Sequence, residues 1–149
     1  MLTTKQITDL SSLDQLAYIF DLYRQFYQQE SNLLQATAFL TQRILNLQSV
    51  IFVVVDDKNV MAGFTQLYPI FSSVSMQHTW LLNDLYVLPT HRGTGAATAL
   101  LQRAKLFAKQ TNSKGLALET AQSNPAQKLY EKLGWQLDTE CLHYFWKTN

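Results

Sequence analysis

A chain of 149 residues, 47% hydrophobic and 15% charged, can bury one sizeable core and is too apolar for a disordered segment, so we expect one domain over residues 1–149. A net charge of +1, with no basic stripe and no stacking motif, speaks against a nucleic-acid partner. The lone cysteine, Cys141, leaves no internal disulfide, the start Met1-Leu2-Thr3-Thr4-Lys5-Gln6 lacks a leader pattern, and no run of about 18 apolar residues occurs; the expectation is a cytoplasmic protein with no membrane partner.

The charge is unevenly divided. Residues 1–90 carry four basic and seven acidic side chains, and residues 91–149 carry eight and four, giving −3 and +4. A cationic ligand held by the first part and an anionic one by the second would match this division, as would unrelated solvated surfaces.

An extended segment at Leu2 to Ile7 opens the chain. Ser11 or Ser12 can cap a helix that places Leu13, Leu16, Ile19, Phe20, Tyr23 and Tyr27 on one face, and a second helix fits Leu33 to Leu47 with Leu34, Phe39 and Ile44 inward. The β-branched run Val50 to Val55, the turn formers Asp56-Asp57-Lys58-Asn59 and a strand from Val60 to Leu67 predict a hairpin. Tyr68 to Ser75 either extends that second strand or forms a loop, since Pro69 would interrupt a central strand. Thr79 to Leu88 is apolar on both faces except at Asn83 and Asp84, as suits a strand inside a sheet. Ala96 to Gln110 is rich in helix formers, Gly115 to Thr120 reads as a buried strand, and Asn124-Pro125 opens a helix that Gly134 ends. Trp135 to Lys147 has room for two short strands. The sum is a mixed α/β domain.

Between the strand ending at Leu88 and the helix beginning near Ala96 stands Arg92-Gly93-Thr94-Gly95-Ala96-Ala97. Two glycines allow successive N–H groups to point into one concavity, the helix adds its positive end, and small Ala96 and Ala97 permit close approach, so a pyrophosphate would fit, with Arg92 adding a charged contact. A plain tight turn reads equally from the pair alone. A dinucleotide-binding turn would need Gly where Thr98 stands, and no Gly-Lys-Ser or Gly-Lys-Thr follows to make a P-loop.

These residues resemble the GNAT superfamily of acyl-CoA-dependent N-acyltransferases, whose signature (Arg or Gln, two residues, Gly, one residue, Gly or Ala) is met by Arg92, Gly95 and Ala97. Asn83-Asp84-Leu85-Tyr86-Val87-Leu88-Pro89 is similar to the family's strand before that turn, and Leu129-Tyr130-Glu131-Lys132-Leu133-Gly134-Trp135 to its late helix. Through Gly63-Phe64-Thr65-Gln66-Leu67-Tyr68 the chain looks most like the diamine and histone/polyamine acetyltransferase branch. The resemblance implies a mostly antiparallel sheet flanked by helices and splayed between two parallel strands, here Trp80 to Leu88 and Gly115 to Thr120. Acetyl-CoA would be the co-substrate, and a homodimer is common among such proteins, with Leu142 to Lys147 as a pairing edge.

The same resemblance implies roles. Tyr130 matches the general acid that protonates the departing thiolate, and main-chain N–H groups along Leu85, Tyr86 and Val87 would hold the thioester and pantetheine arm. Asn124 matches a polar residue that contacts the CoA arm, although it stands six residues before Tyr130 where seven is usual, at Ser123; either residue fits. Polyamine relatives often carry Glu where this chain has Asn83, which cannot take a proton. The base is therefore Asp84, if a bulge brings it to the side of Asn83, or Glu119 on the neighbouring strand, with water-mediated deprotonation as a third route. Asn83 and Glu119 are candidates for the amine site. No histidine pair has ligand spacing, so no metal is expected. The acceptor would be a primary amine, a polyamine or other small one; protein lysine, a protein N-terminus, and a silent CoA-binding module are the alternatives.

Overall fold

The computed structural model describes residues 1–149. Five strands lie side by side in chain order: β1 (Thr3–Ile7), β2 (Val50–Val55), β3 (Met61–Ser72), β4 (Gln77–Val87) and β5 (Leu116–Ala117). The first three pairings are antiparallel and β4–β5 is parallel. Helices α1 (Leu13–Phe26) and α2 (Leu33–Leu45) precede β2, and α3 (Ala96–Gln110) joins β4 to β5. This is the mixed α/β fold expected from the sequence.

Strand alternation explains the layering. Ile51, Val53 and Val55 of β2 pack with Leu16, Phe20, Leu40 and Ile44 of α1 and α2, while Phe52 points the other way and meets Phe107 of α3 with ring centroids 5.4 Å apart. β2 is therefore apolar at every position because both of its faces are covered.

Several local readings change. In α2 the buried positions are Ala36, Leu40 and Ile44, whereas Leu34 is exposed and Phe39 sits at the surface stacked on Phe20. The helix rotates so that small Ala36 faces inward. It also stops at Leu45, because Leu47 takes a left-handed conformation (φ 51°) and the Gln48 N–H returns to the Arg43 carbonyl, a helix-ending turn that apolar periodicity does not reveal. β3 runs through Pro69 without a break: β2 pairs with it only as far as Leu67, so a missing donor on that side is harmless. β5 has two paired residues instead of the six of Gly115 to Thr120, and residues 136–149 hold no strand at all.

Backbone contacts group the chain into two units, residues 1–119 and 120–149. In the second, α4 (Gln127–Lys132) is preceded by a turn in which the Asn124 Oδ1 accepts from the Ala126 N–H at 3.0 Å. Gly134 closes it with φ 85°, and the Trp135 N–H bonds the Tyr130 carbonyl.

Candidate active site

The pairing of β3 with β4 slips by one residue at a decisive place. Gln66 faces Asp84 but the next residue, Leu67, faces Leu82, so Asn83 is an extra residue in β4. This is the bulge that lets Asn83 and Asp84 act on the same side. Their side chains meet, the Asn83 Nδ2 donating to the Asp84 Oδ1 at 2.7 Å.

Asp84 is buried, with only 3% of its surface exposed. Tyr23 of α1 donates its hydroxyl to Oδ1 at 3.2 Å, and Gln66 donates its Nε2 to Oδ2. Gln66 is fully buried and its own orientation is set by the Ser49 hydroxyl, which donates to Oε1 at 2.7 Å. Burial pushes the Asp84 pKa above the usual carboxylate value, against the pull of the bonds from Gln66, Asn83 and Tyr23. Burial and then the Asp84 charge raise Tyr68 to about 12 and Tyr23 further still, so both hydroxyls keep their protons at neutral pH.

This carboxylate lies on a cavity of about 400 Å³ lined by Phe20, Tyr23, Arg24, Gln35, Ala36, Phe39, Tyr68, Asn83 and Asp84. Its walls combine the rings of Phe20, Tyr23, Phe39 and Tyr68 with Ala36 and the polar Arg24, Gln35 and Asn83, and Asp84 is the one carboxylate among them. The helical side is held by a second buried acid, Asp21, which accepts from the Arg24 Nη1 (3.0 Å), the Gln25 Nε2 (3.2 Å), the Ser31 hydroxyl (2.6 Å) and the Asn32 N–H (2.9 Å). Burial works to raise the Asp21 pKa, but the bonds from Ser31, Asn32 and Arg24 outweigh it and keep it below its ordinary value.

Of the aromatic residues on β3 and β4, Tyr68 alone lines the cavity. Tyr86 meets Tyr23 edge-on and Phe26 at a tilt, Trp80 bonds Thr111 and lies against Phe107, and Phe71 is exposed at the β3–β4 hairpin. Glu119 lies two residues beyond β5, is exposed, and is not among the residues lining the cavity.

The parallel pairing of β4 with β5 covers only Trp80 to Leu116 and Leu81 to Ala117. Beyond Leu81, β4 runs on through Leu85, Tyr86 and Val87 without that partner. Gly93 and Gly95 follow, both left-handed (φ 76° and 89°). A side chain built on either would meet nothing within 4 Å, so the concavity is open. Gly95 caps α3, whose first-turn amides, Ala96 and Ala97 among them, have no carbonyl within the helix to bond. The turn is braced by the Thr94 hydroxyl on the His91 carbonyl at 2.6 Å. Arg92 folds back on β4, its Nε donating to the Val87 carbonyl at 3.2 Å and its guanidinium 5.7 Å from the Tyr86 ring centre. These residues fit an anionic phosphate group through main-chain donors and a helix N-terminus.

In the second unit, Tyr130 is half-buried and its ring lies 6.2 Å from that of Trp135. Asn124 spends its side chain locally, its Nδ2 donating to the Thr120 hydroxyl at 2.9 Å and its Oδ1 capping the turn.

The sequence reading did not assign roles to Tyr23, Ser49 or Gln66. Gln66 carried the one available signal, a long polar residue within an otherwise apolar strand.

Comparison with known proteins shows the family of the chain. Residues 16–135 match the acetyltransferase (GNAT) family. An uncharacterized N-acetyltransferase, YhfO of Bacillus subtilis, is 46% identical over 130 residues, 87% of either chain. A probable acetyltransferase of Haemophilus influenzae is 34% identical over 132 residues, covering 80% of this chain and 90% of that one. A crystal structure of a probable acetyltransferase superposes with a TM-score of 0.93 at 38% identity, over 99% of this chain and 98% of the other. None of these names specifies an acceptor or the diamine/polyamine branch. No helix is long and apolar enough to cross a membrane. The chain belongs to the GNAT family and is an acetyl-CoA-dependent N-acetyltransferase.

Proposed function

We propose that the acceptor is a small primary amine, a polyamine or another alkylamine, received as a cation by the Asp84 cavity and acetylated by direct attack in a ternary complex in the cytoplasm. The carrying observation is the lone buried carboxylate of a cavity that four aromatic rings line, brought to the side of Asn83 by the bulge in β4. An alkyl chain suits the walls, and the ammonium group suits the acid.

The chemistry follows from a mismatch of protons. An alkylammonium of pKa about 10.4 is neutral in roughly one molecule in 2,500 at pH 7. Asp84 takes a proton from the ammonium and passes it to solvent. The freed nitrogen lone pair then bonds the acetyl carbonyl carbon, the carbon–sulfur bond breaks, and the nitrogen loses a second proton to Asp84. Tyr130 gives its hydroxyl proton to the departing thiolate and regains one from water. The balance is one ammonium and one thioester in, one amide, one thiol and one free proton out.

Main-chain amides along Leu85, Tyr86 and Val87 hold the acyl arm. Gly93, Thr94, Gly95, Ala96 and Ala97 hold the pyrophosphate, with Arg92 stiffening the strand below. Asn124 keeps the entry to α4 in shape. Glu119, outside the cavity, is left to the periphery of the amine site.

Thiol release from acetyl-CoA, measured with alkyl diamines, alkyl monoamines, a lysine peptide and a free peptide N-terminus, tests the reading. The expected result is a kcat/KM for an alkylamine at least tenfold above either peptide, rising with pH. Preference for a peptide would overturn the small-amine assignment. Tyr130→Phe should lower turnover about 10²-fold with acetyl-CoA affinity unchanged, the scale of a lost general acid.

A further inference from the structure

The cavity around Asp84 holds a second charge that the amine chemistry leaves unused. Its helical wall is built from α1 and α2, where Arg24 and Gln35 stand, and its sheet wall from β3 and β4, where Asn83 and Asp84 stand. Arg24 and Asp84 are the two charged residues of the lining, and they do not pair with each other: the ion pair of Arg24 is with Asp21, one turn back in α1. Only one nitrogen of the guanidinium is taken. Nη1 donates to the Asp21 Oδ1 at 3.0 Å and to the Glu30 carbonyl at 3.1 Å, which fixes the plane, while Nε and Nη2 bond nothing in the chain. The side chain keeps 26% of its surface exposed. Both Asp21 oxygens already accept from two donors each, so no second acceptor waits there for the remaining edge of Arg24. Nε and Nη2 form the edge of the planar group whose paired N–H donors match the two oxygens of a carboxylate. Gln35 is held at its main-chain N–H by Asn32, and its side-chain amide bonds nothing in the chain, which adds a further donor on the same wall.

We infer that the acceptor is an alkylamine that also carries a carboxylate, its amine directed to Asp84 and its carboxylate to the Nε–Nη2 edge of Arg24 beside Gln35. The inference rests on the small-amine reading above and narrows it. A diamine would bring its second ammonium to a guanidinium, which is itself a cation and has no acceptor to offer. A plain monoamine would leave the donors of Arg24 to water. The carboxylate takes no part in bond making; held at its own end, it fixes the amine before the thioester carbon.

The test is thiol release from acetyl-CoA with unbranched amino carboxylates, each compared with the monoamine and the diamine of the same chain length and with its own primary amide. The kcat/KM of the best amino carboxylate should exceed that of all its matched compounds by about tenfold or more, the scale of a hydrogen bond to a charged group. Arg24→Lys keeps a cation beside Asp21 but loses the planar fork, and it should cut that preference about tenfold, chiefly through KM. The preference is a ratio measured within one protein, so a loss of folded material lowers both substrates alike and does not imitate the effect. A monoamine, diamine or amide used as well as the amino carboxylate overturns the inference, and so does an Arg24→Lys enzyme that keeps the preference; in each of these cases small amines are still acetylated and the small-amine reading stands. A peptide preferred over every small amine overturns both.

Discussion

The Asp84 cavity and the glycine turn handle charge in opposite ways. The cavity uses side chains placed inside: a carboxylate at 3% exposure whose oxygens are taken by Tyr23, Asn83 and Gln66. The turn offers the main chain near the surface, where Gly93 and Gly95 lie open and the first-turn amides of α3 are the donors proposed for the phosphate. Identity of the side chain should therefore dominate in the cavity, and backbone conformation should dominate in the turn.

The sharpest contrast comes from Asp84→Asn, which changes little volume but removes the proposed proton acceptor. It should lower kcat/KM by about 10²–10⁴-fold and abolish the acid limb of the pH profile. In the parent enzyme that limb should lie above the ordinary carboxylate range, because burial raises the Asp84 pKa. The same shift has a sign in stability. A carboxyl whose folded pKa is raised stabilises the fold fully below its unfolded value of 3.8 and loses that contribution as pH rises through the folded value. Thermal melts of the parent from pH 4 to 7 should show this slope, and Asp84→Asn should lack it.

At the turn, Gly95→Glu puts a carboxylate at the proposed phosphate site and a side chain at φ 89°. Acetyl-CoA affinity by calorimetry should fall about 100-fold, with a further cost of about 1–2 kcal/mol in folding stability from the left-handed backbone. An unchanged affinity would move the phosphate site elsewhere.

A subtler probe is Gln66→Met, which keeps the length of a residue bonded to Asp84 and to Ser49. Losing one hydrogen bond to a charged group, worth about 1.5–3 kcal/mol, should move the acid limb up by about one to two pH units while leaving the plateau rate nearly intact. A drop in rate with no pH shift would assign Gln66 to packing alone. Smallest of all, Thr94→Ala removes one exposed bond to the His91 carbonyl and should change acetyl-CoA affinity by less than about threefold.

Legibility from sequence divides along the same line. The turn was readable because its chemistry is local: a glycine pair and the start of a helix lie within six residues. The cavity was readable only in part. Asn83 and Asp84 stood out as polar residues in an apolar strand, and a bulge was recognised as the condition for their cooperation, but its presence depends on how Gln66 and Leu67 register 18 residues and 15 residues away. Tyr23, from α1, was counted with the apolar face of its helix because its ring does pack there. The α2 stripe failed for a related reason: Leu34, Phe39 and Ile44 and the buried Ala36, Leu40 and Ile44 are neighbouring stripes on one helix, and tertiary packing chose the one led by a small residue. The strands expected after Trp135 have the right alternation, yet strand formation needs a hydrogen-bonding neighbour that alternation cannot supply.

Asp21 bears on how the acceptor is received. Four donors converge on it from Arg24, Gln25, Ser31 and Asn32, which fastens the link between α1 and α2. A wall fastened in this way is preorganised: a ligand entering it loses its own freedom but does not also have to order the protein. Selection among amines would then be by fit to a fixed shape, with sharp cut-offs in chain length, and association would be a single step whose rate rises linearly with amine concentration.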